Sequence, residues 1–290
     1  GMFHYYFLGN PDGIGFDAPG TDHRTAIWQP FEAYLQQRGA VVRTAAPARA
    51  LAPSDGHRWR VELDDGALVT RHLVLATDPP ALRALLAASP QAAEVAPRLA
   101  AKAAALRDAP PFAVTRLWLD RNLAPERATF SAVSRERTLD SITVYSRLER
   151  PSAQWAARTG GSVVELHSYA CPDRGAAAAT AHMRTELAAL WPETADARVL
   201  HQQERMEATA PTFPPGAAAT RLAVTGEGRG VRVAGDHVHT PFLTGLMERA
   251  AASGVLAAND ILAEVGAGPE EIVGGPQRGL LAGLLPHHRR

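Results

Sequence analysis

The stretch that decides the fold lies between Val231 and Leu262. It comes in two pieces: VRVAGD, residues 231–236, and TGLMERAAASGVLAANDIL, residues 244–262. The first piece is a short apolar run ending in glycine, which reads as a buried strand over Arg229–Ala234. Gly235 at its end lets a bulky ligand come close to the backbone. Asp236 beside it can accept a hydrogen bond from a sugar-type hydroxyl. The second piece predicts a helix from about Leu243 to Val265. Its free N–H groups and positive dipole end suit a negatively charged group. Ala250, Ala251, Ser253, Gly254, Ala257 and Ala258 are small enough to seat that helix tightly on a neighbour.

Outward from this segment, the texture changes twice. Phe112–Leu119, Ser141–Leu148 and Ser162–Tyr169 read as strands rich in β-branched and aromatic residues, with Arg198–Met206 as a further one. A helix is expected over Ala176–Leu190. Strands on long loops with few helices predict an antiparallel sheet with its helices on one side. Nearer the start, Thr25–Arg38 predicts a helix with Ile27, Phe31, Tyr34 and Leu35 on one face, ended by Gly39. Short strands follow at Ala40–Arg43 and Ala48–Leu51. Trp59–Leu63 turns through Asp64-Asp65-Gly66 into Ala67–Thr70. His72–Ala76 reads as a strand buried on both faces, and Pro80–Leu86 as a helix. Gly226–Gly230 and Phe213–Gly216 are turns. Leu280–Leu285 is a weak helical stretch that suits an ordinary terminal helix or contact with a membrane surface.

Composition narrows the classes. The 290 residues carry 30 basic and 30 acidic side chains, so no basic excess points to nucleic acid. One cysteine, Cys171, excludes a disulfide framework within the chain and a Cys-rich metal site. A reducing, cytoplasmic location fits. No run of about 18 apolar residues is present to span a membrane.

The 231–262 segment resembles the carboxy-terminal flavin motif of the amine-oxidase and phytoene (carotene) desaturase superfamily: strand, Ala-Gly-Asp, loop, then Met-Glu, Ala, Ser-Gly and Ala-Ala. Thr25–Leu51 resembles the helix, glycine and strand that lead to the adenine of FAD there. His72–Thr77 resembles the strand closing the nucleotide domain. Asn10–Asp17 and Phe213–Gly216 look like isorenieratene-synthase-like members. The resemblance implies an α/β fold, α+β overall: a partial FAD/NAD(P)-binding Rossmann-like domain with an inserted antiparallel-sheet substrate domain. The expected divisions are 1–108 and 226–265 for the FAD-binding parts, 109–225 for the substrate domain and 266–290 for a tail. It implies FAD as cofactor, contacted by Ala48, Ala76, Thr77, Gly235, Asp236, Leu246 and Met247. Ala48 stands where the family usually has a valine.

The implied activity is oxidation or desaturation of an apolar substrate, with a carotenoid favoured. A non-catalytic fragment or interaction module that binds no FAD is the alternative. The family's opening Gly-x-Gly-x-x-Gly, with its acidic residue about 20 residues on, has no counterpart here. Gly13-Ile-Gly15 lacks the flanking strand and helix. Without that segment the pyrophosphate anchor and the middle of the sheet are expected to be missing, and a homodimer is one way to repair the sheet.

Three other groups have more than one reading. His237 and His239 lie on one face of an extended loop, which suits a metal or, more ordinarily, a loop beside the flavin. Glu165 and His167 share a strand face, in a substrate cavity or, as the ordinary reading, toward solvent. Ser253 reads as a helix-packing residue, since the glycines of a nucleophile elbow are absent. No catalytic residue is identifiable.

Overall fold

The computed structural model describes residues 17–242 and 245–273, the side chains of 218 and 219 excepted. In chain order its elements are α1 (Gln29–Gln37), β1 (Ala50–Ser54), β2 (Arg58–Leu63), β3 (Gly66–Thr70), β4 (Leu73–Leu75), α2 (Pro79–Ala87), α3 (Pro90–Val95), α4 (Pro97–Ala104), β5 (Phe112–Leu119), β6 (Phe130–Ala132), β7 (Ser141–Val144), α5 (Arg150–Thr159), β8 (Ser162–Ser168), α6 (Ala176–Leu190), β9 (Val199–Glu207), β10 (Val231–Val233) and α7 (Leu246–Glu264).

The chain packs as two compact units. One contains Thr44–Asp108 and the described residues from Pro211 on; the other contains Asp17–Arg43 and Ala109–Ala210. The sequence reading had put 17–43 with the first part and 211–225 with the middle. The chain returns to the first unit at once, because Pro211 bridges Asp108 and the Thr212 N–H donates to the Arg107 carbonyl at 3.2 Å. Asp17–Arg43 groups with the second unit, where the Arg150 N–H donates to the Gly20 carbonyl at 2.9 Å.

In the first unit, β1, β2 and β3 form an antiparallel meander. Asp64 and Asp65 make the expected tight turn, with Leu63 opposite Gly66. Trp59 of β2 is buried, and its indole N–H donates to the Arg229 carbonyl at 2.9 Å. The Ser89 hydroxyl accepts from the Leu51 N–H at 2.8 Å and donates to the Leu85 carbonyl, tying β1 to the end of α2. Asp78 caps α2 by accepting from the Ala81 N–H. Leu75, Leu82, Leu99, Leu222, Val233, Val238 and Ala257 share one core.

β4 and β10 pair in parallel, Leu75 opposite Val233. The expectation of a β4 buried on both faces is corrected here: Val74 is 38% exposed. Parallel strands are buried when helices and further strands enclose them, and among the described residues this sheet has two strands.

In the second unit, a five-stranded antiparallel sheet runs β6-β7-β8-β5-β9. Alternation sends Ala113, Thr115, Leu117 and Leu119 to one face. There Ala113, Leu117 and Leu119 share a core with Ile142, Val164, Leu166, Met183 and Leu187. The Thr115 and Thr180 hydroxyls, both buried, meet at 2.6 Å and fix α6 on this face. The expected strand Ser141–Leu148 stops at Val144 and continues as a single 3₁₀ turn.

The helix expected over Thr25–Arg38 is a π-helical turn, Arg24–Trp28, followed by α1. Its apolar face is open, with Phe31 52% and Tyr34 49% exposed. Ala40–Arg43 does not form a strand. A strand needs a neighbour to satisfy its N–H and C=O groups, and the described residues offer it none.

Candidate functional site

The parallel pair sets the first site. Because β4 and β10 run in register, their carboxyl ends lie side by side, and the Ala234 N–H donates to the Leu75 carbonyl at 2.9 Å. Ala76–Thr77 and Gly235–Asp236 leave the sheet from these adjacent ends. In parallel α/β sheets, ligands bind at the carboxyl ends of the strands.

Gly235 has φ +145°, a conformation that is essentially glycine's own. A Cβ there would lie 2.7 Å from the His237 ring. The Gly235 N–H donates to Ser253 Oγ at 2.8 Å, and the Ser253 hydroxyl donates to the Ala250 carbonyl at 2.7 Å. Ser253 is therefore more than a packing residue: it bolts α7 to the strand-end turn. Arg249 Nη1 donates to the Asp236 carbonyl at 3.2 Å, which adds a second tie.

At the start of α7, Gly245 supplies no side-chain cap. Leu246 and Met247 are 55% and 63% exposed. Leu246 holds φ +52°, which costs a side-chain-bearing residue about 1–2 kcal/mol. The Thr77 hydroxyl and both His237 ring nitrogens are buried without a hydrogen-bond partner among the described residues, and Gly245 leaves the first turn of α7 without a side-chain cap. These groups would suit one end of a flavin, the start of α7 its charge-accepting ring and the Asp236 carboxylate a sugar-chain hydroxyl. Ala48 is not gathered with them. It is exposed and precedes β1, where the Arg49 N–H extends the meander by donating to the Glu62 carbonyl.

The metal reading of His237 and His239 fails. The loop turns, so His237 is buried to 2% exposure while His239 points out. No group of three or more His, Cys, Asp or Glu suited to a metal occurs among the described residues. Burial pushes the His237 imidazole down from its ordinary value, and the Asp236 and Asp78 carboxylates only partly offset this.

The second unit presents a different polar centre, on the sheet face opposite α6. Arg116 stands across from Glu165 on β8 and Gln203 on β9. Its guanidinium holds Glu165 Oε2 from Nε at 2.8 Å and from Nη2 at 2.7 Å, and lies 3.8 Å over the Tyr145 ring. Glu165 Oε1 meets His167 Nε2 at 2.8 Å. The solvated-face reading of Glu165 is thus overturned: it is 8% exposed and fully engaged. Burial pushes its carboxyl up, but the His167 hydrogen bond and Arg116 outweigh that and leave it below the usual carboxylate value. Val114, Arg116, Glu165, Gln203, Glu204 and Arg205 line a cavity of about 400 Å³ here. The sequence reading missed Arg116. The signal was present in its alternation with Val114 and Trp118, away from the core face.

The flavin containing amine oxidoreductase family model matches residues 18–262. The carotenoid phi-ring synthase of Streptomyces griseus is 44% identical over 262 residues, 90% of this chain and 50% of that protein. That of Chlorobaculum tepidum is 40% identical over 168 residues, 57% of this chain and 26% of that protein. The chain thus spans about half the length of the first of these curated relatives. Among solved structures, a putrescine oxidase triple mutant superimposes with a TM-score of 0.58 at 13% identity, covering 83% of this chain and 53% of that one. A reduced UDP-galactopyranose mutase gives 0.57 at 12%, covering 83% and 50%. These two likenesses show the fold alone, a mixed α/β one. The chain belongs to the flavin containing amine oxidoreductase family, whose cofactor is FAD.

Proposed function

We propose that this member of the flavin containing amine oxidoreductase family takes part in FAD-dependent oxidation of a carotenoid. The observation that carries the reading is the 262-residue match to a carotenoid phi-ring synthase, joined to the strand ends and uncapped α7 described above. Gly235, Asp236, Thr77, Ala76 and the first turn of α7 would hold one end of FAD, with Ala48 the candidate contact toward adenine. Bound there, the flavin would supply hydride acceptance. The chain's own contribution is to orient the ring and to set the charge at the α7 start. The second unit would serve as the substrate domain.

No helix among the described residues is long and apolar enough to cross a membrane. As part of the same proposal, access to a carotenoid would come through peripheral membrane contact, on the cytoplasmic side, by a single chain or a homodimer. Flotation with vesicles and light-scattering mass measure these two points. The main test is flavin uptake. The purified chain is expected to quench FAD fluorescence saturably and to retain a yellow colour through gel filtration. A colourless chain that leaves FAD free would favour a non-catalytic interaction module instead.

A further inference from the structure

The core face of the second unit's sheet is not covered evenly. Between α6 and the edge strand β9, over the end of β5, lies an open cavity of about 420 Å³. Its whole lining belongs to the second unit. Burial falls from floor to mouth. Leu117, Leu119 and Leu187 are buried and form the floor. Ala188 and Val199 are half-buried in the walls, and Arg184 is exposed at the mouth. No aromatic ring lines the cavity, so it offers aliphatic contact rather than stacking.

The hydroxyls of the lining are already spent. Thr185 donates to the Ala181 carbonyl at 3.0 Å, and Thr194 to the Trp191 carbonyl at 2.8 Å. One cation is left over. Of the charged side chains of α6, His182 meets Asp173 at 2.9 Å, and Glu186 accepts from the Leu139 N–H at 2.7 Å. Arg184 has no partner among the described residues. The carboxylates of the turn beyond α6 do not neutralise it: Glu193 is held by Arg127 at 2.8 Å, and Asp196 forms no ion pair with Arg184. An apolar hollow with satisfied walls and one unpaired cation at its mouth is complementary to a molecule with an apolar body and an anionic end.

We propose that this cavity binds a free aliphatic carboxylate, its chain on the three leucines and its carboxylate against Arg184. Size sets the chain length. At the ~30 Å³ that a water molecule takes up in the liquid, the cavity holds roughly a dozen non-hydrogen atoms, which is a straight-chain acid of about eight to ten carbons. The two long chains of a bilayer lipid exceed that room. The driving force is removal of the chain and of the leucine floor from water. The Arg184 contact adds little energy at its exposed position and fixes which end of the ligand faces out. The site stands independently of the flavin reading, since no residue of the first unit enters it.

The test is a titration of the purified chain, labelled at its alanine methyls, with hexanoate, octanoate and decanoate below their micelle concentrations. Saturable NMR shifts are expected at Ala181, Ala188 and Ala197, which line the cavity. Affinity should rise about fourfold with each added methylene. Arg184→Gln, at an exposed position, is expected to weaken decanoate about threefold and to leave octan-1-ol unchanged. Ala188→Trp fills the cavity and should abolish the binding of both. Should that variant melt early, the Arg184→Gln comparison decides alone. Decanoate that produces no saturable shift at these methyls overturns the proposal. So does decanoate held equally well by Arg184→Gln. Vesicles of anionic lipid that shift the same methyls where decanoate does not would make this a membrane-facing surface, and overturn it too.

Discussion

Gly235 concentrates the demands of the first site in one residue. Its φ of +145° excludes side-chain-bearing residues, and the His237 ring fills the space a Cβ needs. Gly235→Ala is expected to cost about 2 kcal/mol or more, read as a lower urea midpoint with an unchanged slope. Leu246 is the converse case, a strained residue where glycine would relax. With its side chain half exposed, Leu246→Gly is expected to raise stability by up to about 1 kcal/mol, measured by thermal melting.

His237 makes stability depend on pH. Burial lowers its folded value, while the unfolded imidazole titrates at about 6.5. The unfolded chain therefore takes up the proton first as pH falls. This contribution is fully present above about 6.5 and declines below it, until the folded imidazole also titrates. His237→Leu is expected to flatten that part of the curve; an unchanged slope would place the acid sensitivity elsewhere.

At the scale of elements, the pairing of β10 with α7 depends on a residue that the apolar reading of VRVA did not weigh. The Arg232 side chain is 3% exposed, and its guanidinium joins Asp260 and Glu264 on α7, with His72 Nδ1 3.2 Å from Glu264. Both carboxylates are partly open to water and can rehydrate. Arg232→Ala is therefore expected to cost about 2 kcal/mol rather than the larger penalty of a stranded buried charge. Faster amide exchange along α7 is the measurement that reads it.

Element types were legible where a pattern was local. The β5 and β8 strands, α6 and the Asp64-Asp65 turn follow from alternation, helical period and turn chemistry. Ala40–Arg43 and the second face of β4 were not legible, since a strand's burial depends on neighbours that its own residues do not specify.

At the scale of the whole molecule, the flavin-end segment was readable because close approach, charge and helix start leave their mark in a single run of sequence. Glu165 and His167 were readable as alternate residues of one strand, but their partner Arg116 was not, because it is brought in from another strand by register. Arg116 meets Glu165 over a separation of 49 residues, and no one stretch announces the pair.

The parallel pairing of β4 with β10 also sets an order of events during synthesis. Most of the second unit is the single run Ala109–Ala210, and every strand of its sheet has left the ribosome once Glu207 has emerged. β4 must wait for Val231, and Trp59 for a carbonyl 170 residues later. Contacts so distant in sequence form late. On stalled nascent chains of increasing length, protease resistance is expected first for fragments of 109–210 and only afterwards for 44–108. Throughout that interval Leu75, Leu82 and Leu99 lack β10 to pack on, and chaperone capture of the growing chain should be greatest then.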